Sequence, residues 1–438
     1  MTAAAVVAPA FLTRGLEGAV GPELTLPPLL ARPTRSSILI HARNGHNEVA
    51  ARVRFWEMGR DESVVETEAE HSMPGGFLEW SLDGLAAGSR YEYEILSAEP
   101  GRRDWVVARG SFVTQRVGDE SFTAVLLTDS HVGSFPEGSP ELQVTDDVVR
   151  NVRRENPDFV IALGDNVAWA TSRNDPQEHP DGAERAYSMY RRHTGPLTAF
   201  SSHFGIIGNW EGETGKFPPE ARGLVGDVRQ RFLPNPDHLT YPEGGSLNQD
   251  YYAFAWGPAL FVALNVQSYT EPSGPLDRAA DDVNRVEDWT LGREQFAWLE
   301  RTLKDSAYPF NFICIHHTVG GNGGDALNTL YGRGGARAAG IGEQRMVHEL
   351  MREYGVQVFF YGHDHVFVDD VIDGIHYALP GSFGAPWRFA PAVTGYRRYW
   401  PDAGHARLTV RPTETRVDFV NQAGSSFHSF TVAPRRSR

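Results

Sequence analysis

Five short apolar runs in this sequence each end at a cluster of Asp, Asn or His residues. The runs and the residues that follow them are 124–127 with Asp129-Ser130-His131, 159–163 with Gly164-Asp165-Asn166, 204–207 with Gly208-Asn209-Trp210-Glu211, 312–315 with His316-His317, and 358–361 with Gly362-His363-Asp364-His365. Such runs are typical of parallel strands buried on both faces. Ligands of parallel sheets bind beyond the carboxyl ends of the strands. Five polar clusters at one sheet edge therefore predict a metal site, and their number fits two ions better than one.

The pattern of the chain changes near residue 117, which predicts two domains after an N-terminal extension. Residues 1–32 are rich in Ala, Pro and Leu without a sustained period, so we expect an extension there. Residues 33–116 contain short strands and turns, including Asn44-Gly45, a dipeptide typical of hairpins. This pattern predicts a small all-β sandwich. Residues 117–438 alternate strands with amphipathic helical stretches, which predicts an α/β domain. The clearest helical stretches lie at 144–152, 293–304 and 346–351.

The composition is that of a globular protein and excludes several classes of protein. A net charge of −15 argues against a broad nucleic-acid-binding face, because such a face needs a cationic patch. No apolar stretch reaches the roughly 18 residues of a membrane-spanning helix, and the first residues lack the positive charge of a secretory signal. We therefore expect a cytoplasmic protein, with secretion as the alternative. The single cysteine, Cys314, excludes an intrachain disulfide and a thiolate metal cage.

The order and spelling of the five clusters resemble the calcineurin-like metallophosphoesterase superfamily, whose motifs are DxH, GDN, GNH(D/E), a histidine strand and GHxH. The resemblance covers roughly residues 121–385. It implies an αββα sandwich, in which two facing sheets lie between helices, and a phosphoester hydrolase. Residues 85–93 and 110–114 resemble a fibronectin-type-III-like module, which is similar to the N-terminal module of the purple-acid-phosphatase-like branch.

The resemblance also implies the ligands of two metal ions. The first ion takes Asp129, His131, Asp165 and His365, and the second takes Asp165, Asn209, His316 and His363. His316 is preferred to its neighbour because an aliphatic residue, Ile313, precedes it by three positions, as in the family. His317 then supports a ligand or faces the substrate.

The metals themselves are less constrained than their ligands. Imidazole and carboxylate suit Mn, Zn, Fe and Co, so a divalent or mixed-valence pair of any of these fits. Purple acid phosphatases bind ferric iron with a tyrosine at the position of Ala168. The tyrosinate colour should therefore be absent.

One residue, Trp210, departs from the family pattern, which has a histidine at this position. In the superfamily that histidine binds the phosphoryl group or protonates the leaving oxygen, whereas an indole cannot deliver a proton near neutral pH. Trp210 either offers a wall on which an aromatic group stacks or packs the pocket. His193 and His203 are candidate replacements, although isolated histidines are expected to be surface residues. A further departure is Asn265, where relatives commonly carry an aspartate.

The sequence thus predicts a phosphoesterase that hydrolyses phosphodiesters or activated phosphoesters of small molecules. The resemblance implies direct attack of a metal-bound hydroxide on phosphorus. The Gly- and Arg-rich stretch 320–340 is either a loop at the mouth of the site or a structureless linker. If it is such a loop, Arg333 or Arg337 would bind the phosphoryl oxygens. The predicted catalytic residues are Asp165, Asn209, Trp210 and His317. Two alternatives are a different reaction of the same bimetal fold on a specialised small molecule, and a metal-binding protein without turnover.

Overall fold

The structure, a computed structural model, describes residues 24–44, 50–60, 63–68, 70–71, 75–97, 104–169, 178–211, 219–265, 291–316, 343–386 and 396–435. The N-terminal strands are β1 (Leu24–Ala31), β2 (Ser37–Asn44), β3 (Ala50–Glu57), β4 (Val65–Glu66), β5 (Glu70–His71), β6 (Phe77–Asp83), β7 (Arg90–Ser97) and β8 (Trp105–Val113). They form one sheet with the order β1-β2-β6 and a second with the order β4-β3-β7-β8, in which β5 also pairs with β3. Side chains of both sheets, including Ile40 and Ile95, share one buried core. The predicted all-β sandwich is confirmed.

Two details of the sandwich differ from the sequence-based expectation. Strand β1 lies within residues 1–32, which we predicted to be an extension, yet residues 24–31 pair with β2 and are largely buried. The hairpin suggested by Asn44-Gly45 is also absent, because β2 and β3 belong to different sheets. The chain therefore passes from one sheet to the other between β2 and β3. The pairing of β2 with β1 and β6 outweighed the local preference of Asn44-Gly45 for a hairpin turn.

The remaining elements begin with strands and helices that largely alternate and end with a run of strands. They are β9 (Phe122–Leu127), α1 (Pro140–Glu155), β10 (Phe159–Ala162), α2 (Glu178–Thr198), β11 (Ser202–Gly205), α3 (Pro219–Phe232), β12 (Tyr252–Trp256), β13 (Ala259–Ala263), α4 (Gly292–Asp305), β14 (Phe310–Cys314), α5 (Glu343–Tyr354), β15 (Val358–Phe360), β16 (Phe367–Ile372), β17 (Ile375–Pro380), β18 (Tyr399–Trp400), β19 (Gly404–Arg411), β20 (Glu414–Asn421) and β21 (Ser426–Val432). One sheet has the order β11-β10-β9-β19-β20-β21, and the other has the order β12-β13-β14-β15-β17-β16-β18.

These two sheets face each other, and helices cover their outer faces. Alternate side chains of a strand point to opposite faces, and in β9 Leu126 joins the core between the sheets while Val125 joins the core under α1, α2 and α3. In β14, Phe312 likewise faces the first sheet, whereas Ile313 packs against α4 and α5. The architecture is therefore the predicted αββα sandwich. The helical stretches predicted from apolar periodicity correspond to α1, α4 and α5.

The sandwich is joined to the α/β domain through a buried cation, Arg191 of α2. Its guanidinium donates to the carbonyl oxygens of Pro27 (2.6 Å), His41 (3.1 Å) and Phe232 (2.8 Å), and to Nδ1 of His41 (2.9 Å). Burial lowers the pKa of Arg191 to about 9, so the side chain stays charged at neutral pH. Arg191 thus holds β1 and β2 of the sandwich against α2 and the end of α3.

We expect the Arg191→Ala variant to lose about 3 kcal/mol or more of unfolding free energy, because it removes a charged donor from three carbonyl oxygens at this junction. Chemical denaturation followed by circular dichroism would measure this loss. Arg192→Ala is the matched control, since Arg192 is half exposed and its ion pair with Glu137 is 3.8 Å long. An exposed pair of this kind contributes about 1 kcal/mol at most. Equal stability of the two variants would contradict the role given to Arg191.

Within the part of the chain that the structure describes, none of the helices is both long enough and apolar enough to cross a membrane.

Candidate metal centre

The polar clusters of the sequence lie at one edge of the α/β domain. Strands β9, β10 and β11 run parallel, as do β13, β14, β15 and β17, so the carboxyl ends within each group lie at the same side of their sheet. Backbone hydrogen bonds link the tips of neighbouring strands, for example from Asp129 N to Gly164 O (3.1 Å) and from Gly362 N to His316 O (2.7 Å). The tips are thus held together before any side chain is considered.

The backbone at these tips adopts a conformation that non-glycine residues rarely take. Five of the predicted ligand residues have positive φ angles: Asp129 (59°), His131 (49°), Asp165 (50°), His363 (80°) and His365 (55°). Left-handed conformations cost free energy for such residues and concentrate at functional sites. Here they bring side chains that are close in sequence to a common point.

The first cluster of side chains consists of Asp129, His131 and His365. Asp129 Oδ1 lies 3.8 Å from His131 Nε2 and 3.4 Å from His365 Nε2. The other oxygen, Oδ2, accepts hydrogen bonds from Thr128 Oγ1 (2.7 Å) and from the amide of His363 (2.8 Å). Oδ1 is buried and accepts no hydrogen bond from the described residues. Its lone pairs are therefore directed at the point where the two imidazoles converge.

The second cluster consists of Asp165, His316 and His363, with Asn209 beside them. His316 Nε2 lies 3.2 Å from Asp165 Oδ2, 3.2 Å from Asn209 Oδ1 and 3.3 Å from His363 Nδ1. The opposite ring nitrogen of His316, Nδ1, is 2.9 Å from the carbonyl oxygen of Leu163, to which it donates. This hydrogen bond leaves the lone pair of Nε2 directed into the cluster, as is usual for a metal-binding imidazole.

Asp165 connects the two clusters. Its Oδ2 atom lies 3.3 Å from His131 Nε2 of the first cluster and 3.2 Å from His316 Nε2 of the second. Its Oδ1 atom accepts a hydrogen bond from the amide of Trp210 (2.8 Å). Buried nitrogen and oxygen acceptors at these distances repel one another unless a proton or a cation lies between them. The donor set of imidazole, carboxylate and amide oxygen suits divalent first-row metals, so the residues fit the two ions that the motifs imply.

Comparisons with known proteins agree with this geometry. The family model described as calcineurin-like phosphoesterase matches residues 122–367. The chain belongs to this family. As a calcineurin-like phosphoesterase it is a metal-dependent phosphoester hydrolase, which is the predicted class of enzyme and argues against the alternative without turnover.

Solved structures with the same fold were also found. A structure of PhoD is 16% identical with a TM-score of 0.72, and the match covers 95% of this chain and 91% of that chain. The purple acid phosphatase PPD1 from yellow lupin (Lupinus luteus) is 16% identical with a TM-score of 0.67, and that match covers 93% of this chain and 74% of the lupin chain. At this identity the likeness shows the fold alone. A search of curated protein sequences found no match.

The pKa values of the site residues in this phosphoesterase are shifted because the two clusters lie close together. Burial lowers the pKa of His316, but the negative charges of Asp165, Asp129 and Glu211 outweigh burial and raise it to about 9. Burial raises the pKa of Asp165, whereas His316 and His131 lower it well below its usual range. His316 thus holds a proton at neutral pH when no cation is present. Because metal ligands must be deprotonated, binding of a metal ion to His316 releases this proton.

The departure from the family motif, Trp210, lies at the first cluster. Its indole is half-buried, and the ring centroid is 5.9 Å from that of His131 with an interplanar angle of 58°. The aromatic ring therefore borders the face of the site where the family histidine is expected. Both interpretations of Trp210, as a stacking wall and as packing, are compatible with this position.

The candidate replacements for the missing histidine lie elsewhere. His203 is buried on β11 with Nε2 2.9 Å from Tyr190 Oη, and burial lowers its pKa to about 3, so the expectation of a surface residue was wrong. His193 of α2 bonds to Asp146 of α1 (2.7 Å). Neither histidine belongs to the two clusters. His317 and the stretch 320–340, with Arg333 and Arg337, lie outside the described residues.

Asn265, the second departure from the family pattern, lies at the end of β13. Its amide nitrogen Nδ2 donates to Asp250 Oδ2 (3.1 Å), and its backbone exchanges hydrogen bonds with the side chain of Gln295. Asn265 is therefore part of a buried polar network on the α4 side.

Sequence reasoning missed the residues that support the ligands. Ser382 Oγ donates to the carbonyl oxygen of Asp129 (2.8 Å), and Glu211 accepts hydrogen bonds from the tips of two strands. Gly164 is required by close packing, because a Cβ atom there would lie 2.8 Å from His316 Nδ1. Glu211 and Gly164 stand inside the recognised motifs, so their positions were visible in the sequence, but their contacts were not.

Proposed function

We propose that this protein is a dinuclear-metal phosphoesterase that acts on phosphodiesters or on activated phosphoesters of small molecules. The predicted ligands would bind through defined atoms. The first ion would be held by Asp129 Oδ1, His131 Nε2, Asp165 Oδ2 and His365 Nε2, and the second by Asp165 Oδ2, Asn209 Oδ1, His316 Nε2 and His363 Nδ1. The observation that carries the proposal is the position of Asp165 Oδ2, which is within 3.3 Å of an imidazole nitrogen of each cluster.

Two metal ions held in this way would lower the pKa of a bound water and stabilise charge on the attacking and leaving oxygens of a phosphoester. The protein supplies the orientation. Hydrogen bonds from Thr128 and the His363 amide hold Oδ2 of Asp129, so that Oδ1 faces the ring nitrogens of His131 and His365. The carbonyl oxygens of Leu163 and Pro386 accept from Nδ1 of His316 and His365 and so direct both Nε2 atoms to the site.

The preference for diesters or activated esters follows from Trp210. An indole donates a hydrogen bond but does not act as an acid near neutral pH. Alkyl monoesters have a poor leaving group, so they depend most on a general acid. His203 does not supply one, because it is buried, neutral and bonded to Tyr190. His317 is retained as a candidate residue that faces the substrate, and Asn209 as a group that binds the phosphoryl oxygens.

A substrate panel tests this proposal. Protein loaded with Mn, Zn or Fe should contain two ions per chain and hydrolyse bis(p-nitrophenyl) phosphate and p-nitrophenyl phosphate. Glycerol phosphate should react about 10²–10⁴-fold more slowly than p-nitrophenyl phosphate, which is the usual contribution of a general acid. Protein stripped with a chelator is the control.

The outcomes separate the alternatives. Fast hydrolysis of glycerol phosphate would contradict the absence of a general acid. Failure to hydrolyse any phosphoester with two ions bound would favour a different reaction on a specialised small molecule, the alternative that Trp210 and Asn265 support.

A further inference from the structure

A buried carboxylate that is not among the predicted ligands, Glu211, links two of the strand tips that carry them. Its Oε2 atom accepts hydrogen bonds from the amides of Asp165 (3.1 Å) and Gly208 (2.7 Å). Its Oε1 atom accepts from the amide of Asn166 (2.7 Å). Asp165 and Asn166 follow β10, whereas Gly208 follows β11. One carboxylate therefore satisfies three backbone donors from two different tips.

The packing around Glu211 leaves little room for adjustment. The residue is 1% exposed. A Cβ atom on Gly208 would overlap both the amide nitrogen and Oδ1 of Asp165, and it would lie 2.8 Å from Glu211 Oε2. The two tips can therefore approach each other only with glycine at this position. The carboxylate is enclosed between the two tips and hydrogen-bonded to both.

The two tips that Glu211 joins carry more of the proposed ligands of the second ion than of the first. Asp165, whose amide bonds to Glu211, is a proposed ligand of both ions. Asn209, which directly follows Gly208, is a proposed ligand of the second ion only. A shift of one tip relative to the other would thus disturb two of four ligands at the second site and one of four at the first.

We propose that Glu211 is a positioning residue that holds Asp165 and Asn209 at the separation the second metal ion requires. This inference rests on the proposed function, because it assumes two ions with Asp165 between them. Glu211 would not touch either ion in this arrangement, since it belongs to neither cluster of ligands. It acts through the backbone of the residues that do.

The test is the Glu211→Gln variant. Glutamine keeps the shape of the side chain, but its NH₂ group takes the place of either Oε1 or Oε2. There it faces backbone N–H donors and cannot accept their hydrogen bonds. We expect the second ion to bind about 10–100-fold more weakly, the usual effect of losing a residue that orients a ligand, and the first ion to be affected much less. Isothermal titration with Zn²⁺ measures both affinities. The paramagnetic resonance spectrum of the Mn²⁺-loaded protein should change from a coupled pair towards a single ion.

Two further variants distinguish positioning from general stability. Asp370→Asn is the matched control, since Asp370 is also a buried carboxylate that accepts from two backbone amides, those of Arg397 and Arg398. It should lower the unfolding temperature of the metal-free protein without weakening the binding of the second metal ion relative to that of the first. Glu211→Asp retains both oxygens and should restore part of the second affinity. If the glutamine variant does not fold, the aspartate variant is expected to show the same selective weakening relative to wild type.

Each outcome decides between the proposals. Two ions bound by Glu211→Gln as tightly as by wild type would overturn the positioning role, and so would an equal loss at both sites. Wild-type protein that binds fewer than two ions would instead overturn the proposed function on which this inference rests.

Discussion

We expect the Asp165→Asn variant to bind fewer than two metal ions per chain and to lose at least about 10³-fold in kcat/KM. The asparagine oxygen has no negative charge to share between two cations, although it keeps nearly the same shape. Two metal ions contribute several kcal/mol of charge stabilisation in such reactions, and about 4 kcal/mol corresponds to a factor of about 10³. Elemental analysis of the dialysed protein and steady-state kinetics with p-nitrophenyl phosphate measure the two effects.

The matched control for this variant is Asp418→Asn. Asp418 is a buried aspartate of β20 that pairs with Arg407 and Arg416 and belongs to neither cluster. Its replacement should lower stability and leave the metal content unchanged. Retention of two tightly held ions and full activity by Asp165→Asn would refute the bridging role of Asp165.

The Trp210→His variant should gain activity towards alkyl monoesters. The backbone amide of Trp210 makes the hydrogen bond to Asp165, so the substitution leaves that contact in place. The new imidazole would start from the position where the indole now borders His131. A general acid contributes about 10²–10⁴ in rate. We expect a partial gain of about tenfold, because an imidazole fills the space of the larger indole incompletely. Rates for a series of phosphomonoesters, plotted against leaving-group pKa, measure the effect.

The wild-type plot should be steep, and the plot for Trp210→His should be shallower. Trp210→Phe is the control, since it keeps an aromatic ring without a group that can transfer a proton, and it should leave the slope as it is. Metal content should be the same in all three proteins. A shallow slope in wild type would mean that another residue is the acid, and His317 would be the first to test.

The apolar runs and the polar residues that follow them were enough to predict the α/β domain. Strands such as β9, β10 and β14 are buried on both faces, so a run of apolar residues is enough to identify them. Helices α1, α4 and α5 each place one apolar face on a sheet, so the helical spacing of their apolar residues can be recognised in the sequence. Helix α2 was not predicted, because its buried face contains Arg191, which is satisfied by carbonyl oxygens of the sandwich.

Strand β1 was missed for a different reason. It contains Pro27 and Pro28, which lack the amide hydrogen of a sheet ladder and argue against a central strand. The structure places β1 at the edge of its sheet, where proline is tolerated, and the carbonyl oxygen of Pro27 accepts from Arg191. The burial of His203 was missed because its hydrogen-bond partner, Tyr190, lies on a different element and could not be identified from the sequence.

The sequence by itself determined which side chains follow the strands, and hence the family and the seven residues predicted as ligands. Only the tertiary structure decided that Asp165 Oδ2 lies between two imidazoles, which ring nitrogens face the clusters, and that Glu211 joins two tips. The physical reason is that strand formation depends on the order of apolar residues along the chain. The direction of a lone pair depends instead on hydrogen bonds such as that from His316 Nδ1 to the carbonyl oxygen of Leu163, 153 residues away in sequence.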